Sequence, residues 1–224
     1  MVVAVLDRKR RLTVVPEAVP LDLLVAFNHD PMTGLHPDWW QRLPHGDLVR
    51  RLRDCATARP FLCRYLHRAL EVDESPALEF SNPLWRIALL PADALETLCL
   101  RVGCLRHAEP LSRVVTRRER RRVEEMLGHG IIEEALQGRL RRPVPSVWRI
   151  DALPADRESV ARAGMVLLLA PLHPLPEAVW TRLRLKLPPA WSYLGEAGES
   201  KGLGEDWLLR QIQEALPSWR DLFA

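Results

Sequence analysis

Nineteen prolines distributed over 224 residues set the first limit on what this chain can fold into. A proline inside a helix removes a hydrogen bond and clashes with the preceding turn, so it is tolerated mainly in the first turn. The sequence uses it there. Ser81-Asn82-Pro83 reads as a cap followed by a first-turn proline, and Leu90-Pro91-Ala92-Asp93 reads as another helix start. After the second start, Leu95, Leu98, Cys99 and Val102 recur at the spacing of a helix buried along one side. Leu48, Leu52 and Cys55 begin a similar stripe before Pro60, and Leu62, Tyr65, Leu66 and Ala69 continue one after it.

Further along, Thr116 and Glu119 form a capping-box pattern that predicts a helix starting at Arg117 and stopping at Gly128. A second short helix, IIEEALQG, is expected to end at Gly138, and Pro143 and Pro145 then force an extended connector. Asp156 is the expected cap of the next helix. Its Leu-Pro-Ala-Asp start repeats that at residue 90, a shared helix-start solution and not a duplication, since nothing around it matches at a fixed period. In AVWTRLRLKLP the alternation of Leu183, Leu185 and Leu187 leaves helix and strand both open. GEAGESKGLGE reads as a flexible linker and DWLLRQIQEAL as an amphipathic helix.

The expected fold is therefore mainly α, an irregular multi-helix globular fold with little or no sheet. It comprises an N-terminal extension (1–22), a helical body (23–194), a linker (195–204) and a C-terminal amphipathic helix with its tail (205–224). A hydrophobic content of 47% supports a substantial core. MVVAVLDRKRRL has its basic cluster after the apolar run and is not expected to be a secretory signal, and MVLLLAPL is far too short to span a bilayer. The four cysteines show no Cys-x-x-Cys spacing, which fits a reduced, cytosolic protein.

Catalytic signatures are absent. The Gly-x-Ser-x-Gly letters occur at Gly198-Glu199-Ser200-Lys201-Gly202, but in the glycine-rich linker with no flanking strand to make an elbow, and there is no phosphate-binding glycine loop. Cys63 with His67, and Cys104 with His107, have spacings that a zinc site can use, but such spacings arise easily, and buried cysteine acting as a small hydrophobe is the better reading. Neither enzyme activity, metal nor cofactor is expected. Of eight tryptophans, Trp85, Trp148 and Trp180 read as core; Trp39 and Trp40, bounded by Pro37 and Pro44, read either as a contact anchor for a partner or as a loop pinned over the core.

The charge pattern is odd in one place. Basic and acidic residues nearly balance, 32 against 29, and only Lys9, Lys186 and Lys201 of the basic set are lysine. Yet TRRERRRVEE puts five arginines into the first two turns of its helix, where the helix dipole favours acids and each arginine costs about a few tenths of a kcal/mol. Arg117, Arg121 and Glu125 share one side, Arg118 and Arg122 the neighbouring side, and Arg120–Glu124 and Arg121–Glu125 run in the less favourable order for such pairs. An acidic partner meeting Arg117, Arg118, Arg121 and Arg122 would compensate; so would acids elsewhere in the same chain. Phosphate is a third acid, and a helical nucleic-acid-binding protein using helix 117–127 is the alternative class, opposed by Glu119, Glu124 and Glu125 in the same segment. A secretion chaperone is disfavoured on size and charge.

Several segments, taken in order, resemble a known family. FNHDPMTGLHPDWWQRLP, LLPADALETLCLRVGCLRHAEPLSRVV, AVWTRLRLKLP and the ending LLRQIQEALPSWRDLFA are similar to the K-type accessory proteins of type III secretion injectisomes (the YscK, PscK and SctK group, more distantly MxiK and OrgA). The resemblance covers most of the chain but not the N-terminal extension or the RRERRR run. It implies a non-enzymatic, largely helical component of the cytoplasmic sorting platform, peripheral at the inner-membrane base of the injectisome. Its implied partners are the forkhead-associated-like cytoplasmic domain of the inner-membrane ring protein (the D component) and the pod protein (the Q component), and through the latter the L component and the secretion ATPase. Neither nucleic acid nor membrane insertion is implied.

Overall fold

A computed structural model of the chain describes residues 3–6, 12–15, 19–72, 75–141, 144, 149–172, 175–191 and 204–223. Two short strands, β1 (Val3–Leu6) and β2 (Leu12–Val15), pair antiparallel with Val3 opposite Val15 and Leu6 opposite Leu12. Both are rich in valine and leucine on either side of the polar run Asp7–Arg11, the composition of a hairpin. This is the little sheet among the described residues, which are otherwise mainly helical.

Ten α-helices follow among the described residues: α1 (Leu21–His29), α2 (Gly46–Leu52), α3 (Arg59–Ala69), α4 (Ala92–Arg106), α5 (Ala108–Ser112), α6 (Arg117–Leu127), α7 (Ile131–Arg141), α8 (Arg157–Leu169), α9 (Glu177–Leu183) and α10 (Glu205–Ala215). Prolines open the short 3₁₀ stretches Pro31–Thr33, Pro37–Arg42, Pro83–Leu89 and Pro217–Phe223. Asn82 caps the third of these, its side chain accepting from the Leu84 N–H at 2.8 Å. The Leu183–Leu187 alternation resolves as helix: α9 continues into a 3₁₀ turn, Arg184–Lys186, and only Leu187 is extended.

The chain forms two compact units. The first comprises residues 1–92, 174–195 and 221–224, the second residues 93–173 and 196–220. Residues 23–194, read from the sequence as one body, are shared between them. Most of the expected linker, 195–203, lies outside the described residues, as do Trp148 and most of the proline connector.

In the first unit Leu35, Trp39, Trp40, Leu43, Val49, Leu66 and Leu185 form a core on which Leu62 and Tyr65 pack. Gly46 is required there, because a Cβ would fall 1.8 Å from the Trp40 carbonyl oxygen. One expectation fails at this point. Leu48, Leu52 and Cys55 do not form a buried stripe; all three are exposed, and Cys55 lies in the turn beyond α2. The reason is geometric: α2 has only two turns, and the close approach of Gly46 to Trp40 turns Val49 inward and its neighbours outward.

Cations hold this unit together through backbone carbonyls. Buried Arg86 donates from Nε to the Phe80 carbonyl at 3.1 Å and from Nη1 to that of Leu222 at 2.9 Å. Arg184 donates to the Leu70 carbonyl at 2.7 Å, and Arg182 to those of Ala178 at 2.7 Å and Ser75 at 3.1 Å. The Lys186 ammonium donates to the carbonyls of Ala88 and Leu90, both at 2.7 Å, and lies 5.1 Å from the centre of the Phe27 ring. Burial pushes its pKa down to about 7.

In the second unit α4 and α8 touch backbone to backbone. A Cβ on Gly103 would sit 2.0 Å from the Val160 carbonyl oxygen, and one on Gly164 1.8 Å from that of Cys99. The Asp156–Ser159 capping box starts α8 as expected. Arg157 pairs with Glu96 of α4 at 3.1 Å and donates to the Leu127 carbonyl at the end of α6 at 3.3 Å. Arg101 closes α10 by donating to the carbonyls of Glu214 and Ala215, and pairs with Glu134 of α7 at 2.9 Å. α7 runs through Gly138 to Arg141 instead of stopping at the glycine. A single interior glycine costs a helix only about 1 kcal/mol, whereas Pro143 disfavours helix at residue 142.

Candidate partner-binding surface

α6 is fixed at both ends and along one side. The Thr116 hydroxyl accepts from the Glu119 N–H at 3.3 Å and donates to the Glu119 carboxylate at 2.7 Å, which closes the capping box through side chains. Gly128, at φ 108°, ends the helix. Val123 and Leu127 are buried. Arg120 is bound to its own Glu124 at 3.1 Å and to Glu133 of α7, so this arginine ties two helices together.

The other four arginines face away from that anchorage. At about 3.6 residues per turn, Arg118 and Arg121 fall opposite Val123 and Leu127, with Arg117 and Arg122 flanking them, and all four are exposed. Arg121 pairs with Glu125 at 2.9 Å. Arg117, Arg118 and Arg122 have no carboxylate partner among the described residues. The compensation expected from acids of the same chain is therefore partial: it reaches Arg120 and Arg121 and leaves three guanidiniums open at the N-terminal end. Beside them Val115, just ahead of the cap, is 84% exposed. The sequence reading missed it, because Val114-Val115 looks like the tail of a buried run. The result is a rigid basic face with one apolar knob, suited to bidentate binding of carboxylates.

Trp39 and Trp40 are placed differently. They are only 8% and 7% exposed, and the Trp39 indole N–H donates to the Leu187 carbonyl at 3.0 Å. The contact-anchor reading is thus corrected: the proline-bounded segment forms a 3₁₀ stretch that turns both rings into the core. Trp85 and Trp180 are half-buried.

The two cysteine–histidine pairs fall in different units. Burial and the nearby Asp30 carboxylate push the Cys63 thiol up, its Sγ lying 3.8 Å from Asp30 Oδ1. Burial pushes the Cys104 thiol up to about 12, and the buried His107 ring holds the Ala152 carbonyl through Nδ1 at 3.0 Å. Among the described residues no group of three or more histidine, cysteine or acidic side chains is placed to hold a metal ion. A cavity of about 100 Å³ in the first unit is lined by Phe27, Asp30, His67, Arg182 and Lys186. Asp30 there is bound to Arg59 and Thr33; burial works to raise its pKa, and those hydrogen bonds outweigh it and leave the carboxyl lowered. Burial keeps the His67 pKa down. Among the described residues no helix is long and apolar enough to cross a membrane.

The family model described as YOP proteins translocation protein K (YscK) matches residues 26–216. Among curated relatives, the Yop proteins translocation protein K of Yersinia enterocolitica is 28% identical over 171 residues, 71% of this chain and 79% of the relative. The protein of that name from Yersinia pseudotuberculosis serotype I (strain IP32953) is 29% identical over 161 residues, 68% of this chain and 70% of the relative. No solved structure matches. The matched span leaves out the β1–β2 hairpin and runs through both compact units, α6 included. The chain belongs to the YscK family, the K-type proteins of type III secretion that its sequence resembles.

Proposed function

We propose that this chain is a non-enzymatic adaptor of the type III secretion sorting platform, working in the cytoplasm at the inner-membrane base of the injectisome. It bridges the forkhead-associated-like cytoplasmic domain of the inner-membrane ring protein to the pod protein, and through the pod protein connects indirectly to the L component and the ATPase. It needs no cofactor. The observation that carries this reading is the family match over residues 26–216, which takes in both compact units. The outward arginines of α6 supply one docking face: three guanidiniums without a carboxylate partner among the described residues, on a helix held rigidly from behind, suit an acidic protein surface.

Calorimetric titration against the purified ring-protein domain and against the pod protein tests this. Binding of both, with one of them weakened by salt and by Arg117→Glu with Arg121→Glu, is the expected outcome. A random DNA duplex is the control for the rival reading that the exposed arginine face invites. Steeply salt-dependent binding to the duplex, with no heat from either protein, would replace the adaptor with a nucleic-acid-binding protein.

A further inference from the structure

A bridge needs a second docking surface, and the first unit carries a candidate. Leu48 and Leu52, one turn apart on α2, are 55% and 39% exposed, and Phe61 in the first turn of α3 is 63% exposed. Hydrogen bonds link the two helix ends: the Cys55 N–H donates to the Leu52 carbonyl, and the N–H groups of Ala58 and Arg59 both donate to that of Cys55, each at 3.0 Å. Leu52 and Phe61 therefore stand at the same end of the α2–α3 hairpin, with Leu48 one turn back.

The hairpin is held firmly from the core side. Val49 and Leu66 are buried in the first unit's core, and the Tyr65 hydroxyl on α3 donates to the Pro44 carbonyl just ahead of α2 at 2.6 Å. The exposed leucines and phenylalanine are thus presented on a fixed scaffold and are not the loose end of a frayed helix.

Arginines stand beside them on the same two helices. Arg64 lies over the Phe61 ring at 5.0 Å. Arg50, Arg51 and Arg68 are exposed, with no carboxylate partner among the described residues. Arg53 pairs with its neighbour Asp54 at 3.4 Å. An apolar centre that includes an aromatic ring, with a polar rim bearing arginine, is the make-up of a protein–protein interface. The rim sets the sign of the partner, and the apolar centre excludes a purely electrostatic ligand such as a phosphate backbone. A lipid surface fits poorly: the apolar residues are interleaved with arginines, and Asp47 and Asp54 stand among them.

We infer that the α2–α3 hairpin is a second docking surface, for an acidic amphipathic helix of a protein partner that seats its apolar stripe on Leu48, Leu52 and Phe61 and its carboxylates on the arginines beside them. The inference rests on the bridging role proposed above and adds the place of the second contact.

The test uses the full chain with the purified ring-protein domain and the purified pod protein in turn. Leu48→Ser with Phe61→Ser changes only exposed side chains, and circular dichroism and the thermal midpoint should match the wild type. This pair should weaken one partner about ten-fold or more, with little change in salt dependence, and Arg51→Glu with Arg64→Glu should weaken that same partner. The α6 reversal should leave it bound. If both partners bind the wild type and neither responds to the serine pair, the hairpin surface is overturned while the bridge stands. Binding to phosphatidylglycerol vesicles that the serine pair abolishes also overturns it, in favour of a membrane contact. If neither partner binds the wild type, the bridge falls, and a photo-crosslinking residue in place of Phe61 in secreting cells decides the surface alone. An adduct to an acidic helical segment of another protein keeps it. No adduct, or one to a second copy or to residues 192–203 of the same chain, overturns it.

Discussion

Arginine does opposite work in two places, the buried arginines of the first unit and the α6 face of the second. In the first, Arg86, Arg182 and Arg184 point inward and donate to backbone carbonyls, and Lys186 does the same. Each fastens a segment distant in sequence, such as the stretch at Leu70–Glu71 and the 3₁₀ stretch at Leu222. In the second unit the α6 arginines point outward, and three of them fasten nothing among the described residues. The sequence shows the same letter in both places. What differs is whether the local fold leaves carbonyls unpaired within a side chain's reach, so a count of charges cannot tell a staple from a docking residue.

The sharpest way to break that comparison is to remove a staple. Arg86→Ala leaves the Phe80 and Leu222 carbonyls without their donors and opens a cavity in a buried site. Orphaned buried acceptors cost about 1–3 kcal/mol, and the lost packing adds to that, so about 3 kcal/mol is expected from the denaturant midpoint. Arg118→Ala, by contrast, should move it by less than about 0.5 kcal/mol. Equal losses would mean that the exposed arginines are structural too.

Lys186 sharpens the comparison through pH. Its folded pKa, about 7, lies below its unfolded value, so between those two values the unfolded chain binds more protons than the folded one. The sign follows: stability attributable to this group rises with pH through 7 and above, with a slope of up to about 1.4 kcal/mol per pH unit, and the penalty is fully present below pH 7. Lys186→Met should flatten the rise measured between pH 7 and 9 relative to the wild type. At pH 9 it should also be the less stable protein, because Ala88 and Leu90 lose their donor. An unchanged slope would place the titration elsewhere.

Much of the helical plan was legible because it depends on local chemistry. The caps at Asn82, Thr116 and Asp156, and the ends of α6 and α10, follow from side chains within a few residues of each site. What was not legible depends on distant partners. Gly103 and Gly164 look like interior glycines until α4 and α8 cross, and Leu48 and Leu52 look like core until the contact of Gly46 with Trp40 rotates α2. Trp39 and Trp40 left two readings open because proline boundaries fix a segment's conformation but not the direction it faces. At the candidate site, helical periodicity alone grouped Arg117, Arg118, Arg121 and Arg122, whereas the clamp of Arg120 onto Glu133 and the exposure of Val115 required the fold of the second unit.

The smallest effect bears most directly on why α6 carries its charge. Arg117→Glu with Arg118→Glu puts acids where the helix dipole favours them and leaves the Thr116 cap, the buried Val123 and Leu127 and the Arg120–Glu133 clamp untouched. The variant should therefore be more stable than the wild type by about 0.5–1 kcal/mol at low ionic strength. Added salt screens the unfavourable dipole term in the wild type and the favourable one in the variant, so the two midpoints should converge as salt rises. The same substitution should abolish the salt-sensitive partner contact. A surface that costs stability in the free protein and supplies affinity in the complex is maintained for binding. A loss of more than about 1 kcal/mol on reversal would instead show that these arginines have partners within the chain, and the contrast with the buried arginines would collapse.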